Sequence, residues 1–386
     1  MSKLKSLKNI NNNTVNTNIN MFCIYFPQFH KFEENNINFY NGFTDTNSLD
    51  LLIKENKIIQ RTPSIIHLPI KNINDYDLVE NINLLQEQFN LLNKYNINGF
   101  AIYYYWFSIN NITNKRMIME NMINKFFDDK LKTNNKKVFF IWANENWTNN
   151  SHFGEKNNKI ENIYDSTNFI KNINNLITYF KHNNYLKINN KPVFMIHHSI
   201  NINQFNKMKK IFNQCCILNS FNGIHLILNS QNFNNNLFEG NNFYDHNFNI
   251  KRGLKIFNDI YYKNDIHHII DYKKYLETIN TNNNNIKSLV FDFDNRARCY
   301  KPNKLESVAI TINNNEENMK KFILKIGNSY KNININNKIE NILLVNSWNE
   351  WGEQMEIEPS NEKGTYYIDL IINTLKEINM ELISDL

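Results

Sequence analysis

The stretch ILLVNSWNEWGEQMEIEP, residues 342–359, runs from four aliphatic residues straight into a segment carrying two tryptophans, a glycine and the carboxylates of Glu350 and Glu353. A short apolar run of this length reads as a buried strand, and the change of character at Asn346 marks where it emerges into a loop. Polar and aromatic residues that follow a buried strand, rather than precede it, belong to parallel α/β folds whose chemistry lies at the carboxyl ends of the strands.

The same transition recurs along the chain. PQFH (27–30) follows the run Met21–Phe26, YYYWF (103–107) ends Gly99–Trp106, and ANENW (143–147) ends Lys137–Ala143. His197 and His198 close Pro192–His197, and DNRAR (294–298) follows Ser288–Phe293. With Ile342–Ser347, Ile224–Asn229 and a weaker run near Phe243, eight strand candidates alternate with helical stretches at Leu78–Tyr95, Lys115–Lys130, Asp165–His182, Glu316–Ser329 and Tyr366–Ile378. This pattern predicts one α/β domain, a (β/α)₈ TIM-type barrel with an extended first βα loop, over residues 18–386. Residues 1–17 are Asn-rich and polar and read as a disordered segment. No internal repeat and no Pro/Gly-rich linker divides the rest.

Composition narrows the function classes. A chain of 386 residues with 41% hydrophobic content can bury a barrel-sized core. Its 43 basic and 37 acidic residues are spread along the chain, which leaves no nucleic-acid footprint. Cysteines at 23, 215, 216 and 299 form neither a disulfide framework nor a CxxC zinc knuckle. There is no secretion signal and no apolar run of membrane-spanning length, so the sequence predicts a cytoplasmic protein without an integral membrane segment. Oligomeric state is not legible. Asparagine runs at 11–13, 234–236, 282–285 and 313–315 mark tolerant loops.

Two carboxylates among tryptophans suit carbohydrate chemistry, because remaking a glycosidic bond takes one carboxyl as acid and another as base or nucleophile, while indole faces bind sugar rings. Three residues separate Glu350 from Glu353, a spacing that serves one pocket if the loop turns helically. Glu145 with Glu350 is the competing couple, since a glutamate after an asparagine at a barrel strand end is also a glycosidase pattern. Alternation sends Tyr103 and Tyr105 to one side of their strand and allows only one of His197 and His198 to face a pocket, for which His197 is chosen. Asp292–Phe293–Asp294 spells the DxD of metal-dependent nucleotide-sugar transferases, a weak signal. No metal site and no cofactor is assigned.

At these clusters the chain resembles the WbsX-type glycosyltransferase family, which is in turn similar to glycoside hydrolase family 99, endo-α-mannosidases on a TIM barrel. The matching residues are Tyr25–His30, Glu34–Asn35, Gly42–Thr44, Gly99–Phe100, Tyr103, Tyr105–Phe107, Trp142–Thr148, Lys191–Pro192, Asp294–Asn295, Arg298, Trp348–Trp351, Glu353 and Glu358–Pro359. The chain departs from the pattern at Asp45–Thr46 and at Tyr104, where histidine is usual. The resemblance implies a glycan or sugar substrate, Glu353 as general acid, and Glu350 as the base that activates the sugar's own 2-hydroxyl. Substrate contacts are expected from Tyr25, Gln28, His30, Tyr103, Tyr105, Trp142, Asn144, Glu145, Trp147, His197, Asp294, Arg298, Trp348 and Asn349. A binding barrel that keeps the pocket without turnover is the non-enzymatic alternative.

Overall fold

The structure, a computed structural model, describes residues 17–38, 41–54, 69–70, 75–81, 83–147, 160–198, 200–228, 257–262, 265–279, 286–301, 304–305, 308–331 and 341–382. Seven strands form its central parallel array: β1 (Thr17–Tyr25), β2 (Gly99–Trp106), β3 (Lys137–Trp142), β4 (Lys191–Ile196), β5 (His225–Leu228), β6 (Lys287–Leu289) and β7 (Ile342–Val345). Their spatial order is β6-β7-β1-β2-β3-β4-β5, every neighbour parallel. Among the described residues no pairing joins β5 to β6. The eighth strand candidate, near Phe243, lies outside the described residues, as do residues 1–16. The protein is thus an α/β fold with a mainly parallel central sheet.

These strands are near-continuous apolar runs because both faces are covered. All four residues of β7 are buried, and so are Phe22–Tyr25 of β1 and Val138–Trp142 of β3. Helices pack on the outside: α1 (Leu84–Lys94), α2 (Glu120–Lys125), α3 (Ser166–Phe180), α4 (Ile202–Leu218), α5 (Glu316–Tyr330) and α6 (Tyr366–Glu377). In α3 the buried residues Phe169, Ile173, Leu176, Ile177 and Phe180 fall on one helical stripe, and the Asp165 carboxylate caps the start by accepting from the Asn168 N–H at 2.8 Å.

Two expectations are corrected, and further elements appear. The helix expected over Leu78–Tyr95 begins at Leu84, because the Asp77 side chain accepts the N–H groups of Val79 and Glu80, each at 2.8 Å, and folds the preceding segment as a turn. The helix expected over Lys115–Lys130 shortens to α2, since Met117 and Ile118 pair antiparallel with Trp106 and Tyr105. Helix α4 and a three-stranded sheet of Phe257–Tyr262, Asp265–Asp271 and Val308–Ile312 were not anticipated. Among the described residues no helix is long and apolar enough to cross a membrane.

Candidate active site at the carboxyl ends of the strands

Parallel strands put all their carboxyl ends on one side, so the segments after β1, β3, β4, β6 and β7 meet there. The segment after β7 is the most tightly built. Ser347 Oγ accepts the Glu350 N–H at 2.8 Å, and Trp351–Glu353 form one turn of 3₁₀ helix. Gln354, in the left-handed region at φ 54°, then reverses the chain, and the Met355 N–H reaches the Glu350 carbonyl at 3.2 Å. Glu350 is buried, 5% exposed, and Glu353 partly so.

Neighbouring strands hold that turn. The Asn349 side chain accepts the Phe26 N–H at 2.8 Å and donates to the Phe26 carbonyl at 3.0 Å. The Asp294 N–H donates to the Glu353 carbonyl at 2.8 Å, linking the segments after β6 and β7. Beneath them Glu358 is a buried hub: Tyr76 Oη donates to it at 2.6 Å, Gln88 Nε2 at 2.7 Å and Trp351 Nε1 at 3.1 Å. Burial pushes its carboxyl up to about 7, against the pull of these donors.

Across the array, Tyr105 is the meeting point. Gln28 Nε2 donates to its hydroxyl at 2.9 Å, and Trp147 packs on its ring with centroids 5.4 Å apart. Burial pushes the Tyr105 phenol well above the ordinary tyrosine value, followed by the negative charges of Glu145 and then, less strongly, Glu350. One hydroxyl therefore senses both carboxylates. Tyr103, on the same side of β2, packs against His197 at 5.4 Å. The Glu145 carboxylate lies 3.0 Å from His198 Nε2. Burial opposes its ionisation, yet contact with His198 and the nearby His197 hold it down at about 2.

Adjacent histidines on one strand would diverge, but β4 ends at Ile196 and the chain bends, so both imidazoles lie near Glu145. Their rings are 4.4 Å apart. Asn144 fixes this bend by accepting the His198 N–H at 2.7 Å and donating to the His198 carbonyl at 3.1 Å.

The family described as Glycosyltransferase WbsX matches residues 21–371. The chain belongs to the WbsX glycosyltransferase family. No curated protein matches this WbsX chain. Among solved structures, a glycoside hydrolase-like protein is similar over 95% of each chain, with 14% identity and a TM-score of 0.52. The GH99 endo-alpha-mannosidase from Bacteroides thetaiotaomicron is similar at 12% identity, over 93% of this chain and 97% of its own. Its TM-score is 0.54 in complex with BIS-TRIS-Propane and 0.53 without it. At this identity the likeness concerns the fold. Family and fold together make the WbsX chain a carbohydrate-active enzyme.

The structure separates the remaining candidates of the WbsX chain by burial. Tyr25 is fully buried and its hydroxyl donates to Gln88 at 2.8 Å. Trp142, 3% exposed, donates Nε1 to the Trp106 carbonyl at 3.0 Å, and Trp348 packs on Phe100 at 5.4 Å with no exposure. His30 is also buried, which lowers its pKa to about 4. Asp294 binds Arg296 Nε through both carboxylate oxygens at 2.9 and 2.8 Å. The Arg298 side chain lies outside the described residues. Sequence reasoning missed His198, Tyr76 and Gln88. For His198 the signal was there, in the pair that ends the strand; Tyr76 and Gln88 gave none.

A groove at the opposite end of the strands, lined by Lys94, Tyr95, Asp369 and Lys376 among others, contains none of these residues.

Proposed function

We propose that this WbsX-family enzyme acts at a glycosidic bond by hydrolase-type chemistry on a closed (β/α)₈ barrel, with Glu353 as general acid and Glu350 as base. The observation that carries the reading is the 3₁₀ turn after β7, which presents a buried Glu350 and a more exposed Glu353 at the strand ends. Burial suits the group that works on a bound ring, and exposure suits the group that meets the leaving oxygen and the incoming acceptor.

In the proposed cycle Glu350 takes the proton of the 2-hydroxyl, whose oxygen attacks the anomeric carbon while the bond to the leaving oxygen breaks. Glu353 gives that oxygen its proton. Water or an acceptor hydroxyl then loses its proton to Glu353 and opens the anhydro ring, and Glu350 returns its proton to the 2-oxygen. Glu145, Gln28 and Tyr105 form the opposing wall and hold sugar hydroxyls, while Asn144 fixes the backbone that carries Glu145.

The DxD reading is less favoured, because the Asp294 carboxylate is engaged by Arg296. The test is an assay with aryl and oligosaccharide glycosides, α-mannosides first, alongside nucleotide-sugar donors. Turnover of a glycoside that is lost in Glu350→Gln is the result expected. Turnover confined to nucleotide sugars and retained in Glu350→Gln would overturn the assignment, and glycan binding without turnover, unchanged in Glu350→Gln, would make the protein a binding barrel.

A further inference from the structure

Glu145, His197 and His198 each offer a donor atom, and the three atoms lie within 4.8 Å of one another. Two arise from the bend after β4 and one from the segment after β3, so adjacent parallel strands supply the set. We infer that this cluster is a binding site for a divalent transition-metal ion of the zinc type, held by two imidazole nitrogens and one carboxylate oxygen.

Geometry and rigidity both point this way. Zinc binds imidazole nitrogen and carboxylate oxygen at about 2.0 to 2.2 Å, so neighbouring donors on one tetrahedral ion stand about 3.3 to 3.6 Å apart. Glu145 Oε2 and His198 Nε2 are 3.0 Å apart as an ion pair, slightly closer than two donors on one ion. A bound cation would take the place of the proton that the pair now shares, with a small opening of the two donors. The third donor, within 4.8 Å of the other two, closes on the ion by side-chain rotation.

The backbone that carries the donors is fixed without them. Asn144 exchanges two hydrogen bonds with the His198 main chain, at 2.7 and 3.1 Å, while its Nδ2 also donates to Tyr164 Oη at 3.0 Å. Tyr164 Oη in turn donates to the Asn144 carbonyl at 2.8 Å. Asn144 immediately precedes Glu145, so one amide locks both strand ends in register. Outer contacts of this kind orient metal ligands and commonly change affinity ten- to a hundredfold.

Two nitrogens and one oxygen suit zinc, cobalt, nickel, manganese or ferrous iron rather than calcium or magnesium, which prefer all-oxygen sets. Three protein donors leave further positions for water or a substrate oxygen. The inference does not depend on the roles given to Glu350 and Glu353, because binding is measured without turnover.

The full chain, stripped with a chelator and dialysed, is titrated with Zn²⁺ by calorimetry and with Co²⁺ by visible absorption. One equivalent should bind, with cobalt ligand-field bands that report nitrogen and oxygen donors. The isosteric Glu145→Gln should weaken binding at least about tenfold, as should Asn144→Ala, which leaves all three donors in place. The double substitution His197→Ala with His198→Ala should abolish the event, with circular dichroism and thermal melting confirming the fold. Binding retained by the double variant, or unchanged in Glu145→Gln, would put the ion elsewhere in the chain and overturn the inference; so would the lack of a saturable one-to-one event in the wild type.

Discussion

Asn349 spans the gap between β7 and β1 by holding both the N–H and the carbonyl of Phe26, at 2.8 and 3.0 Å. The amide is fully buried, and the next residue is Glu350. This side chain fixes the backbone from which Glu350, the proposed base, projects. Asn349→Ala would leave a buried N–H and carbonyl unpaired and should cost about 2 to 3 kcal/mol in urea unfolding. It should also lower kcat more than it raises KM, because the carboxylate is misplaced rather than removed. An unchanged unfolding midpoint would show that the clamp is dispensable.

Removing an acid or base from the chemical step differs from removing a hydroxyl contact. Glu350→Gln and Glu353→Gln should each reduce turnover by roughly two to four orders of magnitude while product still binds. Glu145→Gln should instead raise KM more than it lowers kcat. Steady-state kinetics with a calorimetric binding assay separate the cases. If Glu145→Gln is as inactive as Glu350→Gln while Glu353→Gln stays active, the couple spans β3 and β7 and the acid is Glu145.

Glu358 should make stability depend on pH in an unusual direction. Its folded pKa, about 7, lies above the ordinary value of 4.5, so between these limits the folded state binds more protons than the unfolded chain. Its contribution is therefore fully present below about pH 4.5, is lost as pH rises through about 7, and totals about 3 kcal/mol across that window. Glu358→Gln has no such proton to release. The stability difference between wild type and variant, from urea midpoints at pH 5 and pH 8, should shift against the wild type at the higher pH. Parallel profiles would mean that Glu358 is ionised throughout.

Gly99 opens β2 where no side chain fits: a Cβ there would stand 1.7 Å from the carbonyl oxygen of Lys137 on β3. Both partners are strand backbone, so neither can yield cheaply. Gly99→Ala should cost about 3 kcal/mol or more and spread the β2–β3 register, read as a lowered Tm and loss of soluble protein. A variant with wild-type Tm would show that the strands part without penalty.

The strands and their functional ends were legible in the sequence because burial on both faces demands unbroken apolar runs, and the chain then turns polar and aromatic where each run stops. Gly99–Trp106 reads the same in sequence and structure, and Ile342–Val345 is where the decisive stretch placed it. The Glu350–Glu353 turn was also visible, since three-residue spacing and a glycine describe local geometry. Which candidates face the cleft was not legible. Tyr25, Trp142 and Trp348 carry the residue types of a sugar site but are consumed by the core, because aromatic side chains serve packing and recognition equally well. Alternation separated His197 from His198 only as long as the strand continued, and it ends at Ile196. Glu358 takes two of its donors from Tyr76 and Gln88, 282 and 270 positions away. Periodicity and spacing are local and fixed the strands and their ends; contacts across such distances exist only once the parallel array has brought its loops together, so the tertiary structure alone decided the site's inner wall.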